Sequence, residues 1–267
     1  MNYSDLHIHT TFSDGIHSIE EIVQEAVEKK MISIGISDHS YTPFDQRYCM
    51  KQDAVAAYLQ EIKRVRELYK DRIEVYAGLE YDGYSELENP GDFDYLIGDC
   101  HYIKTWDGYH SVDHAKDEQW HAIETYFNSD PMAYARAYYQ TYINRTQEHK
   151  PDILGHFDVV VKHGFVDEES TAYRKMAAEA LIACMEVAPV VEMNTGSVIR
   201  KWRESAFPDT YLLKEILAHK GCIILSSDSH RADTLTGWFN EAAGVLRTIG
   251  FKSTVIFRNN GFQEVGL

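Results

Sequence analysis

His7 and His9 stand two residues apart at the end of an apolar run, and residues of the same kind recur down the chain: Asp38 with His39, Glu80, His101, His156, Glu192, and Asp228 with His230. Imidazoles and carboxylates are the ligands that divalent transition-metal ions take, and a carboxylate can bridge two ions where an imidazole cannot. Each of these positions closes a stretch that reads as a strand. The chemistry they suggest is metal-dependent hydrolysis at a site built from several strand ends.

His7-Ile8-His9 puts both imidazoles on one strand face, because strand side chains alternate. Ser37-Asp38-His39 and Ser227-Asp228-Ser229-His230 repeat one pattern, a carboxylate and an imidazole just past an apolar run. Glu80 ends the run from Ile73 to Leu79, where its carboxylate could bridge two ions. His101 follows Leu96-Ile97-Gly98-Asp99-Cys100, and His156 follows Ile153-Leu154-Gly155. In the first loop Asp14 is a stronger ligand candidate than His17, which directly precedes a helix cap. The candidate metal ligands are therefore His7, His9, Asp14, His39, Glu80, His101, His156, Asp228 and His230. His110, His114, His121, His149, His163 and His219 lack the strand-end context and read as solvated. Cys100 faces away from His101 on an alternating strand and reads as a buried thiol. No P-loop, G-x-G-x-x-G or G-x-S-x-G motif is present, so Walker-type and serine-esterase chemistry lack support.

The elements that must position these residues alternate. Strand candidates run Tyr3 to His9, Ile32 to Ser37, Ile73 to Leu79, Tyr95 to Gly98, Ile153 to Leu154, Val190 to Met193 and Cys222 to Leu225. Ser18-Ile19-Glu20-Glu21 forms a capping box ahead of a helix, and Asp53 is placed to cap a second whose apolar face runs from Val55 to Leu68. Further helical patterns lie around 131–149, 170–187 and 209–219. Strands alternating with helices imply a parallel sheet, and loops after the strand C-termini then converge on one face. The alternation breaks at 102–130, a long segment rich in aromatic and polar residues that reads as a lid.

The 267 residues suffice for one α/β domain spanning 1–267, with 44% hydrophobic and 25% charged residues and only 6 prolines. Asp and Glu outnumber Lys and Arg by 42 to 26, a net charge of −16, which disfavours a nucleic-acid partner. A small anionic substrate remains open, because bound cations invert the local potential. The four cysteines, Cys49, Cys100, Cys184 and Cys222, form no C-x-x-C pair, and no signal-like or membrane-spanning run occurs. The expectation is a soluble, cytoplasmic protein without a membrane partner; oligomeric state is left open.

The segments Asp5-Leu-His-Ile-His-Thr-Thr-Phe-Ser-Asp-Gly15, Ser37-Asp-His39, Gly155-His-Phe-Asp158 and Ser227-Asp-Ser-His230 together resemble the four motifs of the polymerase and histidinol phosphatase (PHP) superfamily. Glu192-Met-Asn-Thr-Gly196 with Arg200, and Phe207-Pro208, look most like its stand-alone histidinol-phosphate phosphatases. The resemblance implies a distorted seven-stranded (β/α)7 barrel with a trinuclear site of Zn, Mn or Fe. It assigns His7, His9, Glu80 and Asp228 to one ion, Glu80, His101 and His156 to a second, and Asp14, His39 and His230 to a third. Glu80, Asp228 and His230 would also act in catalysis.

The activity so implied is hydrolysis of L-histidinol phosphate in histidine biosynthesis. Runner-up readings are a related phosphoesterase for another small ester or for protein phosphotyrosine, and a non-catalytic metal-binding relative. A phosphate dianion needs cationic donors, and Arg200, Lys162 and Arg47 are the basic residues expected to supply them. The 102–130 segment would cover the organic part of the substrate, with acidic residues receiving its amine.

Overall fold

A computed structural model of the chain describes residues 3–87 and 89–267. In chain order the elements are β1 (Ser4–Asp5), α1 (Ile19–Glu28), β2 (Ser33–Ile36), α2 (Val55–Tyr69), β3 (Glu74–Asp82), β4 (Tyr95–Asp99), β5 (Tyr102–Thr105), β6 (Gly108–Ser111), α3 (Lys116–Tyr126), α4 (Pro131–His149), β7 (Ile153–Leu154), α5 (Thr171–Met185), β8 (Val190–Asn194), α6 (Gly196–Ile199), α7 (Thr210–Ala218), β9 (Cys222–Ser226), α8 (Phe239–Ile249), β10 (Ser253–Arg258) and β11 (Gly261–Gly266). The main sheet runs β1-β2-β3-β4-β7-β8-β9-β10-β11 and is parallel except for the β10–β11 hairpin. It curls until Ile8, beyond β1, bridges Ser229, beyond β9.

The seven expected strands all lie in this sheet, and β10 and β11 bring it to nine. The extra pair comes from a stretch whose apolar core is short, Val255 to Phe257, and which carries no ligand-type residue at its end. Pairing of the hairpin onto β9, rather than local pattern, makes it part of the sheet.

Helix α1 begins with the capping box read from sequence: Ser18 accepts from the Glu21 amide while the Glu21 carboxylate accepts from the Ser18 amide. It buries Ile19, Ile22, Val23 and Ala26. At α2 the expectation fails in two details. Asp53 sits inside a 3-10 turn and caps nothing, and Leu68 is exposed while Tyr58, Ile62, Val65 and Tyr69 face the core. Buried tyrosines pin the strands. Tyr58 lies within reach of the carbonyls of Ile36 and Gly78, and Tyr142, from α4, within reach of those of Gly98 and Gly155.

The 102–130 segment is ordered rather than a structureless loop. It forms the β5–β6 hairpin and α3, with Phe44 stacked on Tyr109 at 3.8 Å and Gln119 buried against the carbonyls of Val112 and Val160. Its aromatic residues pack locally, which is why no apolar periodicity marks them in sequence.

Candidate metal centre

All nine candidate ligands lie at or beyond the C-terminal ends of parallel strands. His7 and His9 follow β1, His39 follows β2, Glu80 lies near the end of β3, His101 follows β4, His156 follows β7, and Asp228 and His230 follow β9. Asp14 reaches them because the first loop folds back. A Cβ on Gly15 would lie 2.4 Å from the His9 carbonyl group, so only glycine permits that turn. Asp38, counted from sequence as a carboxylate at the mouth, is instead turned away. It accepts from Thr10 N and Oγ1, both at 2.7 Å, and from Ser13 N at 3.1 Å, fixing that loop.

Sorted into the three sets that the sequence resemblance implies, the candidate ligand atoms crowd around one carboxylate, and His9 and His39 are each close enough to belong to more than one set. In the first, Glu80 Oε1 lies 3.2 Å from His7 Nε2, and Asp228 Oδ1 lies 3.3 Å from His9 Nε2. In the second, Glu80 Oε1 lies 3.4 Å from His101 Nε2 and 3.1 Å from His156 Nε2, with the two imidazole nitrogens 3.2 Å apart. In the third, Asp14 Oδ2 lies 3.3 Å from His230 Nε2 and Oδ1 3.8 Å from His39 Nε2. His39 Nδ1 also meets Glu80 Oε2 at 2.6 Å.

An outer layer of carboxylates faces the Nδ1 side of three of the rings. His7 Nδ1 is hydrogen-bonded to Glu192 Oε2 at 2.9 Å, while His101 Nδ1 faces Asp82 at 3.3 Å and His156 Nδ1 faces Asp99 at 3.1 Å. In the neutral ring a carboxylate on the Nδ1 side favours the proton there, leaving the Nε2 lone pair free to ligate. Three such nitrogens then converge on one carboxylate oxygen. A divalent ion fits this convergence of imidazole nitrogens on a carboxylate oxygen, and without one protons bind there instead. His7 Nε2 and both nitrogens of His9 are buried without a hydrogen-bond partner, which agrees.

Without ions, protons take up part of that charge. Burial opposes protonation of His156, but Asp99 and Glu80 outweigh it and raise the imidazole to about 9. His7, against Glu192 and Glu80, and His101, against Glu80 and Asp82, also stand well above the usual imidazole value despite burial. Burial, with His230 and His39 nearby, drives His9 down to about 3. Glu80 and Asp228 are held well below the carboxylate range, their burial overcome by His39 and His7 in one case and by Arg200 and His7 in the other.

The centre forms the floor of a cavity of about 410 Å³ whose walls include Tyr48, Tyr102, Asp113, Lys162, Arg200 and Trp202. Arg200 and Lys162, expected to bind phosphate, are both there, stacked on the Trp202 ring at 4.2 and 3.7 Å. Arg200 also grips Asp228, and Lys162 Nζ donates to the Asp113 carbonyl at 2.7 Å. Arg47 is not brought to this cavity. Its guanidinium is taken by Asp45 and Glu118, and it lines a neighbouring cavity instead.

Asp82, Asp99 and Trp202 were missed from sequence, and Glu192 was marked there without a role. Period-two spacing was the available signal for two of them, since Asp82 follows Glu80 by two residues and Asp99 precedes His101 by two. Gly155 lets Asp99 lie under His156, as a Cβ there would meet the carboxylate at 2.3 Å. Nothing local marks Trp202, which is placed by the short turn after α6.

The PHP domain family model matches residues 5–196. Among curated proteins the chain is 25% identical to a probable histidinol-phosphatase of Deinococcus radiodurans, over 97% of this chain and 98% of the relative. It is 24% identical to the histidinol-phosphatase of Bacillus subtilis, over 87% and 95%. Among solved structures it resembles the histidinol phosphate phosphatase of Lactococcus lactis complexed with zinc, L-histidinol and phosphate. That likeness has a TM-score of 0.73 at 22% identity and covers 98% of this chain and 99% of the other.

Proposed function

The chain belongs to the PHP domain family, and on that premise we propose that it is a metal-dependent phosphomonoesterase that hydrolyses L-histidinol phosphate to L-histidinol and phosphate. The observation that carries this reading is the convergence of His7, His101 and His156 Nε2 on Glu80 Oε1, at 3.2, 3.4 and 3.1 Å, on the floor of an open cavity. Names of relatives matched over nearly their whole length supply the substrate.

In this reading His7, His9, Glu80 and Asp228 would hold one divalent ion, Glu80, His101 and His156 a second, and Asp14, His39 and His230 a third. Mixed imidazole and carboxylate donors suit Zn, Mn or Fe. Bound ions supply Lewis acidity toward phosphoryl oxygens and lower the pKa of water. The chain's own residues do the rest. Glu80 would be shared by two of these ligand sets, Arg200 fixes the rotamer of Asp228, and Lys162 brings positive charge to the cavity wall, where it would meet a phosphoryl oxygen. Asp113, held down to about 2 by Lys162 and His101 despite burial, is an ionised partner for the substrate amine. Glu80, Asp228 and His230, the residues proposed as catalytic, all line the cavity.

The seven strands that carry or precede these residues are read as a distorted (β/α)7 barrel with β10 and β11 as an appendage, within one domain covering 1–267. Among the described residues no helix is long and apolar enough to cross a membrane, and the reading puts the enzyme in the cytoplasm. A second reading, a larger phosphate monoester such as a phosphotyrosyl peptide, is favoured by one feature. A further cavity of about 510 Å³ adjoins the first along Tyr102 and Ser111. Phosphate release from L-histidinol phosphate, compared with small monoesters and a phosphotyrosyl peptide, separates the two. The leading reading expects kcat/KM for histidinol phosphate to exceed the others by at least about 100-fold, on the order of 2.7 kcal/mol; equal values across the panel would overturn it.

A further inference from the structure

We propose that His17 is a positioning residue that ties together the two loops carrying Asp14 and His230, and so sets the affinity of the third ion; the inference rests on the trinuclear reading above. Asp14 and His230 are the most exposed of the candidate ligands, with 32% and 28% of their side chains accessible, whereas His7, His9 and Glu80 are fully buried. They belong to different loops, after β1 and after β9, and approach each other at 3.3 Å. A buried bridge, with His9 N donating to the Ser229 carbonyl at 2.8 Å and Ser229 N to that of His7 at 3.2 Å, joins the two segments at their bases, and beyond it the approach depends on ties between the loops.

The first loop is anchored at its start by Asp38. At its far end, two hydrogen bonds cross to the other loop. Ile16 N donates to the His230 carbonyl at 3.0 Å, and Ala232 N donates to His17 Nδ1 at 3.2 Å. The His17 carbonyl in turn accepts from Thr11 N at 3.0 Å, which fixes His17 to the first loop while its ring reaches the second. Asp14 therefore lies between two fixed points, and His230 takes one crossing bond on its own carbonyl, two residues before Ala232 makes the other. The ring nitrogen that accepts from Ala232 cannot carry a proton, so the proton is on Nε2. Among the described residues His17 joins none of the ligand groups. Its part is to orient ligands, a role whose loss elsewhere costs about 10–100-fold in metal affinity.

Asparagine places its Oδ1 where histidine has Nδ1, whereas glutamine reaches too far, so the side chains make opposite predictions. Metal-free wild type, His17→Ala, His17→Asn and His17→Gln are each titrated with zinc, and the bound ions are counted by elemental analysis. Wild type should bind three ions. His17→Ala and His17→Gln should weaken the loosest by about tenfold or more and leave the other two unchanged, and His17→Asn should restore the wild-type curve. Thermal unfolding of the four metal-free proteins should coincide, which a merely structural role would not give. Three ions of unchanged affinity in His17→Ala, or equal behaviour of the Asn and Gln variants, would overturn the proposal alone. Fewer than three ions in wild type would overturn it together with the trinuclear reading.

Discussion

Arg200 holds Asp228 at two points: Nη1 donates to its backbone oxygen and Nη2 to carboxylate Oδ2, each at 2.6 Å. Asp228 has a φ of +51°, left-handed backbone that costs a non-glycine residue about 1–2 kcal/mol, and the double grip offsets that strain. It also leaves Oδ1 facing His9. Arg200 thus serves the metal ligand as well as the cavity wall. Arg200→Ala should lower zinc affinity and cut kcat/KM by about 10–100-fold, with Arg200→Lys intermediate because it cannot reach both oxygens. A kcat/KM within about twofold of wild type, under roughly 0.4 kcal/mol, would show that Arg200 holds neither Asp228 nor the phosphoryl group.

The strands and the positions of the candidate ligands were legible because the strand ends contrast with the runs before them. A buried parallel strand is a plain apolar run, and His101 or Asp228 just past its end stands out against it. Less was legible where side chains act across the sheet. Arg200 lies 28 residues from Asp228, and Glu192 Oε2 meets His7 across 185 residues of chain. Asp38 misled for the same reason. Its partners, Thr10 and Ser13, belong to a loop whose fold depends on Gly15. Arg47 looked close to the site in sequence, yet Asp45, two residues away, claims its guanidinium.

Proton release should accompany metal binding. In the metal-free protein His156 is raised to about 9 and His7 and His101 also lie high, so near neutral pH these rings hold protons that an ion must displace. Apparent zinc affinity should therefore rise with pH up to about 9. For folding the sign is the reverse. Between the ordinary imidazole value of 6.5 and about 9 the folded protein binds more protons than the unfolded chain. The stability contributed by His156 is complete below 6.5 and is lost as pH rises toward about 9, and His7 and His101, also raised, act in the same direction. Melting the chelated protein at both ends of that window checks this: Tm should fall with pH, and a rise would contradict the assignment.

Tyr142 joins two strand ends beneath the centre, its hydroxyl 2.8 Å from the Gly98 carbonyl and 2.7 Å from that of Gly155. Tyr142→Phe should cost about 1–2 kcal/mol, because buried carbonyls lose a donor without loss of ring packing. The urea midpoint of the metal-free protein should drop accordingly, with an unchanged m-value.

The most direct measurement follows phosphate release from L-histidinol phosphate while metal-free protein is reloaded with zinc, in wild type and in Glu80→Gln. Glu80 is the one residue shared by the groups around His7 and around His101 and His156. The account predicts no turnover without metal and a rise with ions bound per chain in wild type. It predicts a loss of at least about 1,000-fold in kcat for Glu80→Gln, roughly 4 kcal/mol of transition-state stabilisation. Turnover at the wild-type rate by demonstrably metal-free protein, or by Glu80→Gln, would contradict it.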